Sequence, residues 1–133
     1  AGFTDPGVEP WLPVNADRAT RNVADQSGDP ASVLSLYKEL LRLRSEHPAL
    51  AEGRLDLVAG APEGTVAWVR NDGAERIVVA ANMSDEAQRV PLGVPGATLL
   101  LGTDPAVQLT AAVPAVRLPP HTAAIVALPA AEG

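Results

Sequence analysis

Cysteine is absent from the 133 residues, lysine occurs once (Lys38), and Phe, Tyr and Trp together make up only 3%. Without cysteine there is no disulfide framework, no thiolate metal site and no thiol nucleophile. Cationic residues number 10 against 16 acidic ones, a formal net charge of −6. Such a balance argues against surfaces for nucleic acid or anionic membranes. No run of about 18 apolar residues occurs and no signal-peptide pattern is seen, so no membrane span is predicted and the expected location is cytoplasmic. There is also no Gly-rich phosphate loop, and no serine sits in a G-x-S-x-G context.

Hydrophobic residues make up 47% of the chain, and 13 Pro and 11 Gly punctuate short apolar runs. The length suits one compact domain, or one domain with a short appendage. A chain of this size buries roughly 68% of its unfolded surface and needs no covalent staple. It opens at Ala1-Gly2-Phe3 in a turn-rich stretch without an initiator Met, and reads as a piece of something longer.

Three stretches differ in pattern. Residues 1–28 show no periodicity; Asp5-Pro6-Gly7 and Glu9-Pro10-Trp11-Leu12-Pro13 read as turns. So long a structureless loop implies a functional loop or one that packs elsewhere. Residues 29–50 carry the strongest helix signal, with Asp29 as N-cap and Pro30 at the first helical position. Val33, Leu36, Tyr37, Leu40 and Leu43, flanked by Leu34 and Leu41, form a wide apolar arc. Pro48 is expected to stop this helix near His47.

From Gly53 the hydrophobic period falls to 2. The predicted strands are Arg54–Val58, Thr65–Arg70, Arg76–Asn82, Gln88–Leu92, Thr98–Leu101, Val107–Thr110, Val116–Leu118 and Thr122–Leu128. Their rhythm is that of an antiparallel sandwich. Asn71-Asp72-Gly73 is a hairpin signal. The runs 76–81 and 123–128 are apolar on both faces and belong in central strands, with Trp68 as a core anchor beside them. Pro91 confines its strand to an edge. The expected fold class is therefore mainly β: an antiparallel β-sandwich preceded by a long loop and one α-helix.

Several segments then resemble a known family. Gly2-Phe3-Thr4, Pro10-Trp11-Leu12-Pro13-Val14-Asn15 and Asn22-Val23-Ala24-Asp25-Gln26 are similar to the late barrel loop of alpha-glucosidases in the alpha-amylase superfamily, glycoside hydrolase family 13. Asp29-Pro30-Ala31-Ser32-Val33-Leu34, Tyr37, Leu41-Arg42-Leu43-Arg44 and His47-Pro48-Ala49-Leu50 resemble its last barrel helix. Gly53, Val66-Ala67-Trp68-Val69-Arg70, Ile77-Val78-Val79-Ala80-Ala81-Asn82-Met83-Ser84 and Leu118-Pro119-Pro120-His121-Thr122-Ala123 follow in the order of its C-terminal β-sandwich. The resemblance implies three parts: 1–28 from the end of the catalytic barrel, 29–50 the last barrel helix, and 51–133 the C-terminal β-sandwich. It further implies that the retaining carboxylate pair, about 5–5.5 Å apart, lies on earlier barrel strands that nothing here matches. The implied role is a non-catalytic C-terminal fragment that supports the barrel; the alternative is a free-standing carbohydrate-binding module. The implied partner is the parent's catalytic barrel.

Weighed singly, the candidate site residues divide as follows. Asp25 with Asp29, and Asp85 with Glu86, are carboxylate pairs of the kind that arise freely among 16 acidic residues, and read as turn or cap groups. His47 and His121 lack a partner at ligand spacing, so no metal or cofactor is expected. Asn82-Met83-Ser84 fits the glycosylation pattern, but reads better as a strand-ending turn. Phe3 and Trp11 are the candidate carbohydrate contacts, since aromatic faces stack on sugar rings and the resemblance puts this loop near the cleft mouth; the competing reading makes them loop anchors. Tyr37 and Trp68 read as core or interface residues. The helix arc exceeds one contact stripe, so self-association through residues 30–47 is expected, or else its covering by Trp11 and Leu12.

Overall fold

The computed structural model describes residues 4–130; Phe3 therefore lies outside the described residues. The chain divides into two compact units, one ending at Arg42 and the other starting at Leu43.

In the first unit, the stretch read as structureless contains a 3-10 turn at Ala16–Ala19 and a short helix, α1, at Val23–Ser27. Both are capped by asparagine: Asn15 Oδ1 accepts the Asp17 N–H at 3.3 Å, and Asn22 Oδ1 accepts the Asp25 N–H at 3.0 Å. Caps rather than apolar periodicity define these turns, which is why hydrophobic patterning passed over them. The long helix α2 spans Val33–Glu46, three residues later than its predicted start. Ser32, not Asp29, is its cap: the Ser35 N–H donates to Ser32 Oγ at 3.1 Å. Asp29 instead accepts the Ala31 N–H at 2.8 Å, closing an Asx-turn ahead of the helix.

Pro48 ends α2 as expected and then starts another helix, α3 (Pro48–Glu52), in which it occupies the first turn. His47 between them is extended, at φ −116° and ψ 97°.

The second unit is the predicted sandwich. Strands β1 (Arg54–Leu57), β2 (Thr65–Asn71), β3 (Arg76–Asn82), β4 (Gln88–Pro91), β5 (Thr98–Gly102), β6 (Gln108–Thr110), β7 (Ala115–Leu118) and β8 (Ala123–Leu128) match the eight sequence expectations to within a residue or two. Five of them form one antiparallel sheet in the order β1-β2-β3-β8-β5, and three form a second in the order β4-β7-β6. The doubly apolar strands β3 and β8 lie inside the larger sheet, and Pro91 sits on an edge strand. Gly73 takes φ +93° in the β2–β3 hairpin, a conformation that glycine adopts without strain.

Side chains from both sheets meet in one core: Ala67, Val78, Ala80, Ala124 and Val126 from the larger sheet face Val90, Val116 and Leu118 from the smaller. Trp68 is not part of it. Ala67 and Ala80 are paired on the inner face, and strand alternation turns Trp68 outward, half-buried, beside Val79. A second cluster lies on the outer face of the larger sheet, where Leu43 and Ala49 cover Ile77 and Ile125.

Candidate functional site

Two surfaces remain after the core is accounted for. The first is a groove of about 1360 Å³ in the first unit, with Trp11, Leu12, Arg18, Val23, Leu34 and Tyr37 among its lining residues. Its framework is a set of side-chain to backbone bonds. Asn22 Nδ2 donates to Arg18 O at 3.1 Å and to Asp25 Oδ2 at 2.6 Å. Gln26 ties α1 to α2: its backbone carbonyl accepts from Ser32 Oγ at 2.8 Å, and its Oε1 accepts the Leu34 N–H at 3.1 Å. The Asn22–Gln26 segment thus works as a clamp on the start of α2.

Trp11 lies in the open on this groove, 94% exposed, and Leu12 is exposed as well. Neither covers the helix stripe, since Val33 and Tyr37 stay 75% and 62% exposed. The second expected arrangement of the loop, folded over α2 as a cap, is therefore not adopted. Tyr37 is an exposed residue and not a core one.

The acidic pairs are placed as structural groups. Asp25 is held by Asn22, Asp29 by its turn, and Asp85 Oδ1 lies 2.8 Å from His121 Nε2 on the surface. Glu39 is paired with Arg42, whose hydrogen bond holds its carboxyl below the usual range. Among the described residues no three His, Asp or Glu side chains gather at metal-binding range. Asn82, the glycosylation candidate, is 1% exposed, and its Nδ2 donates to Leu118 O at 3.2 Å and Pro119 O at 2.9 Å. Its Oδ1 accepts from the Ser84 N–H at 3.0 Å and Ser84 Oγ at 2.7 Å. It is a buried hub of the strand end, as the turn reading expects.

The second surface is the outer face of the larger sheet. Its covered end is tied down by a cluster that the sequence reading missed: Arg70 Nε donates to Ala49 O at 3.1 Å, and Arg44 Nη1 donates to Leu50 O at 2.7 Å. The available signal was Pro48 followed by Ala-Leu-Ala-Glu, a helix start placed directly after a helix stop. Beyond this cluster, Leu55, Leu57 and Val66 are exposed.

Comparison with known proteins also divides the chain in two, but at residues 52–53 and not at Arg42. Residues 1–53 match the family described as "Alpha amylase, catalytic domain", and residues 52–125 match "Domain of unknown function (DUF3459)". A probable alpha-glucosidase of Rhizobium meliloti is 42% identical over 86 residues, which is 65% of this chain and 15% of that protein. An oligo-1,6-glucosidase of Parageobacillus thermoglucosidasius is 35% identical over 86 residues, with the same coverage of 65% and 15%. The chain thus spans about 15% of the length of these relatives. The crystal structure of the trehalulose synthase MutB superposes with a TM-score of 0.79 at 29% identity, over 90% of this chain and 22% of that one. The isomaltulose synthase SmuA from Protaminobacter rubrum, at 23% identity and TM-score 0.78, shares the fold over 91% of this chain and 22% of its own.

Proposed function

The chain belongs to the DUF3459 domain family, and we propose from this that it serves as the non-catalytic C-terminal part of an alpha-glucosidase-type enzyme of the alpha-amylase superfamily. One observation carries the reading. The catalytic-domain match ends at residue 53 where the DUF3459 match has just begun at residue 52, in the order that a barrel followed by its C-terminal sandwich requires.

On this reading 1–28 is a loop from the end of the barrel, 29–50 its last helix and 51–133 the supporting sandwich. The sandwich shields apolar barrel surface and holds the last helix in place. The retaining chemistry, a nucleophile and an acid/base on opposite sides of a glycosidic bond, is supplied by residues outside these 133. Trp11, with Phe3, contributes at most a stacking contact on the leaving-group side of a sugar. Separated from the rest of such an enzyme, the chain pairs with a second copy through the exposed stripe of α2.

Activity tests the reading directly. The purified chain is expected to leave 4-nitrophenyl α-glucoside, maltose and isomaltose unhydrolysed. Turnover that disappears on substituting one of its own Asp or Glu residues overturns the assignment. Saturable quenching of tryptophan fluorescence by maltose or isomaltose would instead favour the free-standing binding module.

A further inference from the structure

The smaller sheet turns a polar face away from the core. Val90 on β4, with Val116 and Leu118 on β7, belongs to the core, so strand alternation sends Arg89 and Arg117 to the opposite face. Register sets these two arginines directly opposite one another across the β4–β7 pair. Gln108 of β6 stands next to Arg117 in the same row. Arg89 and Gln108 are exposed and Arg117 is half-buried. Directly opposed residues of an antiparallel pair stand about 5 Å apart at Cβ, where like charges repel.

Elsewhere the chain gives its arginines partners. Arg21, Arg42 and Arg54 pair with Asp17, Glu39 and Asp56. Arg44 and Arg70 donate to the Leu50 and Ala49 carbonyls. Among the described residues, Arg89 and Arg117 make neither a hydrogen bond nor an ion pair. Carboxylates are not scarce, since acidic residues outnumber basic ones 16 to 10. The adjoining row of Pro91, Ala115 and Thr110 carries no charge. The sheet therefore holds two guanidinium groups side by side against their repulsion, with no carboxylate to offset it.

We propose that Arg89 and Arg117 form a binding site for a tetrahedral dianion of the phosphate class, with the Gln108 side-chain amide as a third donor. Two positive charges one strand spacing apart match a single doubly charged group, which both guanidinium forks hold through paired N–H···O bonds. A carboxylate carries one charge and satisfies one fork. A polyanion such as nucleic acid needs cations repeated along its length, and the neutral row beside the pair supplies none. Partial burial of Arg117 limits its side-chain freedom before the ligand arrives, which lowers the ordering cost of binding. The bound dianion cancels the repulsion that the free site carries, so occupancy is linked to stability. The site lies wholly within the sandwich and does not depend on the enzymatic reading above.

Side-chain NMR tests it in the 133-residue chain at pH 7 and constant ionic strength. The arginine Nε–Hε signals are followed while inorganic phosphate, glycerol 2-phosphate or chloride is added. Those of Arg89 and Arg117 are expected to shift and saturate in the millimolar range with phosphate or its ester, while Arg54, held by Asp56, stays in place. Saturation by either supports the site, and the tighter of the two tells a free ion from a phosphate carried on a larger molecule. Arg89→Gln and Arg117→Gln are each expected to weaken binding about fivefold, as suits a solvent-facing ion pair. Phosphate should also raise the denaturation midpoint of the wild type more than that of either variant, a difference that its general exclusion from protein surfaces does not produce. Shifts that stay linear, or that chloride reproduces, overturn the proposal. Equal affinity, or an equal gain in midpoint, in the wild type and both variants overturns it as well.

Discussion

Glu75 closes the N-terminus of α3: its Oε1 accepts the Ala49 N–H at 3.1 Å, and its Oε2 lies 2.9 Å from His47 Nδ1. Helix α3 has no cap of its own, since the His47 side chain makes no capping bond. The β2–β3 hairpin supplies one from 26 residues away in sequence. A carboxylate at this place satisfies an orphan N–H and meets the positive end of the helix. Local helix chemistry is thereby coupled to the docking of residues 43–52 on the sheet.

The first prediction follows. Glu75→Ala should cost about 1–2 kcal/mol, the size of a lost cap and a lost partly buried bond. Glu75→Gln keeps an acceptor for Ala49 and should lose less. Urea denaturation of both variants checks the order, and equal losses would assign the effect to packing instead.

Gly53 marks the closest approach of α3 to the sheet. A Cβ there would lie 2.5 Å from Ala49 O and 3.0 Å from the Asn71 backbone. Its φ of −59° suits any residue, so the demand for glycine comes from space and not from conformation. Gly53→Ala should therefore destabilise by about 1–3 kcal/mol, as overpacking does. Without the clash the same change would stabilise by about 0.4–1 kcal/mol, by reducing chain entropy in the unfolded state. The sign of the shift in denaturation midpoint decides.

The hairpin also predicts a pH response. Asp72 Oδ1 accepts the Glu75 and Ala74 N–H groups at 2.9 Å each, and these bonds hold its carboxyl below the usual aspartate value of 3.8. A depressed folded pKa means stability that is present above the unfolded value and lost as pH falls through the folded one. The loss therefore belongs below about pH 4. An NMR titration of the Asp72 side chain should show a midpoint under that of an unstructured aspartate. Asp72→Asn should flatten the acid-side loss of protection at the Ala74 and Glu75 amides.

Asn82 gives a fourth prediction. Its Nδ2 also donates to Glu86 O at 2.7 Å, so removing the side chain takes a donor from three backbone carbonyls, of which Pro119 O keeps Thr122 Oγ1 at 2.8 Å and Glu86 O keeps Ser84 Oγ at 3.1 Å. Asn82→Ala should cost about 2–4 kcal/mol by denaturation, more than a typical surface change. Asn82→Asp replaces the donor with an acceptor and should be no milder. The folded chain should resist glycan transfer at Asn82, because both functional ends of its amide are engaged.

Strands were legible in the sequence where one rule governed them. Ile77 to Ala81 is a short run apolar on both faces, as a central strand requires, and turn residues such as Gly73 stand between runs, so composition and punctuation agree. Legibility fell where partners are distant. Trp68 reads as a core residue by size alone, yet the inner position goes to Ala67, a choice set by the pairing of β2 with β3. Helix α3 escaped notice because its cap comes from Glu75, across the hairpin. The start of α2 was misplaced because Asp29, Pro30 and Ser32 all carry start signals, and Gln26 Oε1 together with Ser32 Oγ selects the last. The groove at Trp11 has no periodic signature, since asparagine caps and turns build it.

The fifth prediction concerns the stripe of α2 when the chain stands alone. Only Leu43 on this helix is buried, while Val33, Tyr37 and Leu41 are 75%, 62% and 56% exposed. Fully burying such a side chain is worth about 1.5–3 kcal/mol. Two copies meeting through the stripe gain several of these at once, offset by the cost of association. The balance points to a dissociation constant in the micromolar range, about −8 kcal/mol. Sedimentation velocity over rising concentration should therefore show a reversible shift from monomer to dimer. Leu41→Glu places a charge on the exposed stripe and should hold the chain monomeric with little change in its denaturation midpoint. Leu43→Ala, by contrast, should lower that midpoint by about 2–5 kcal/mol of stability, because it opens a cavity over Ile77 and Ile125. A wild-type chain that stays monomeric at every concentration would leave the stripe unpaired and reject association through α2.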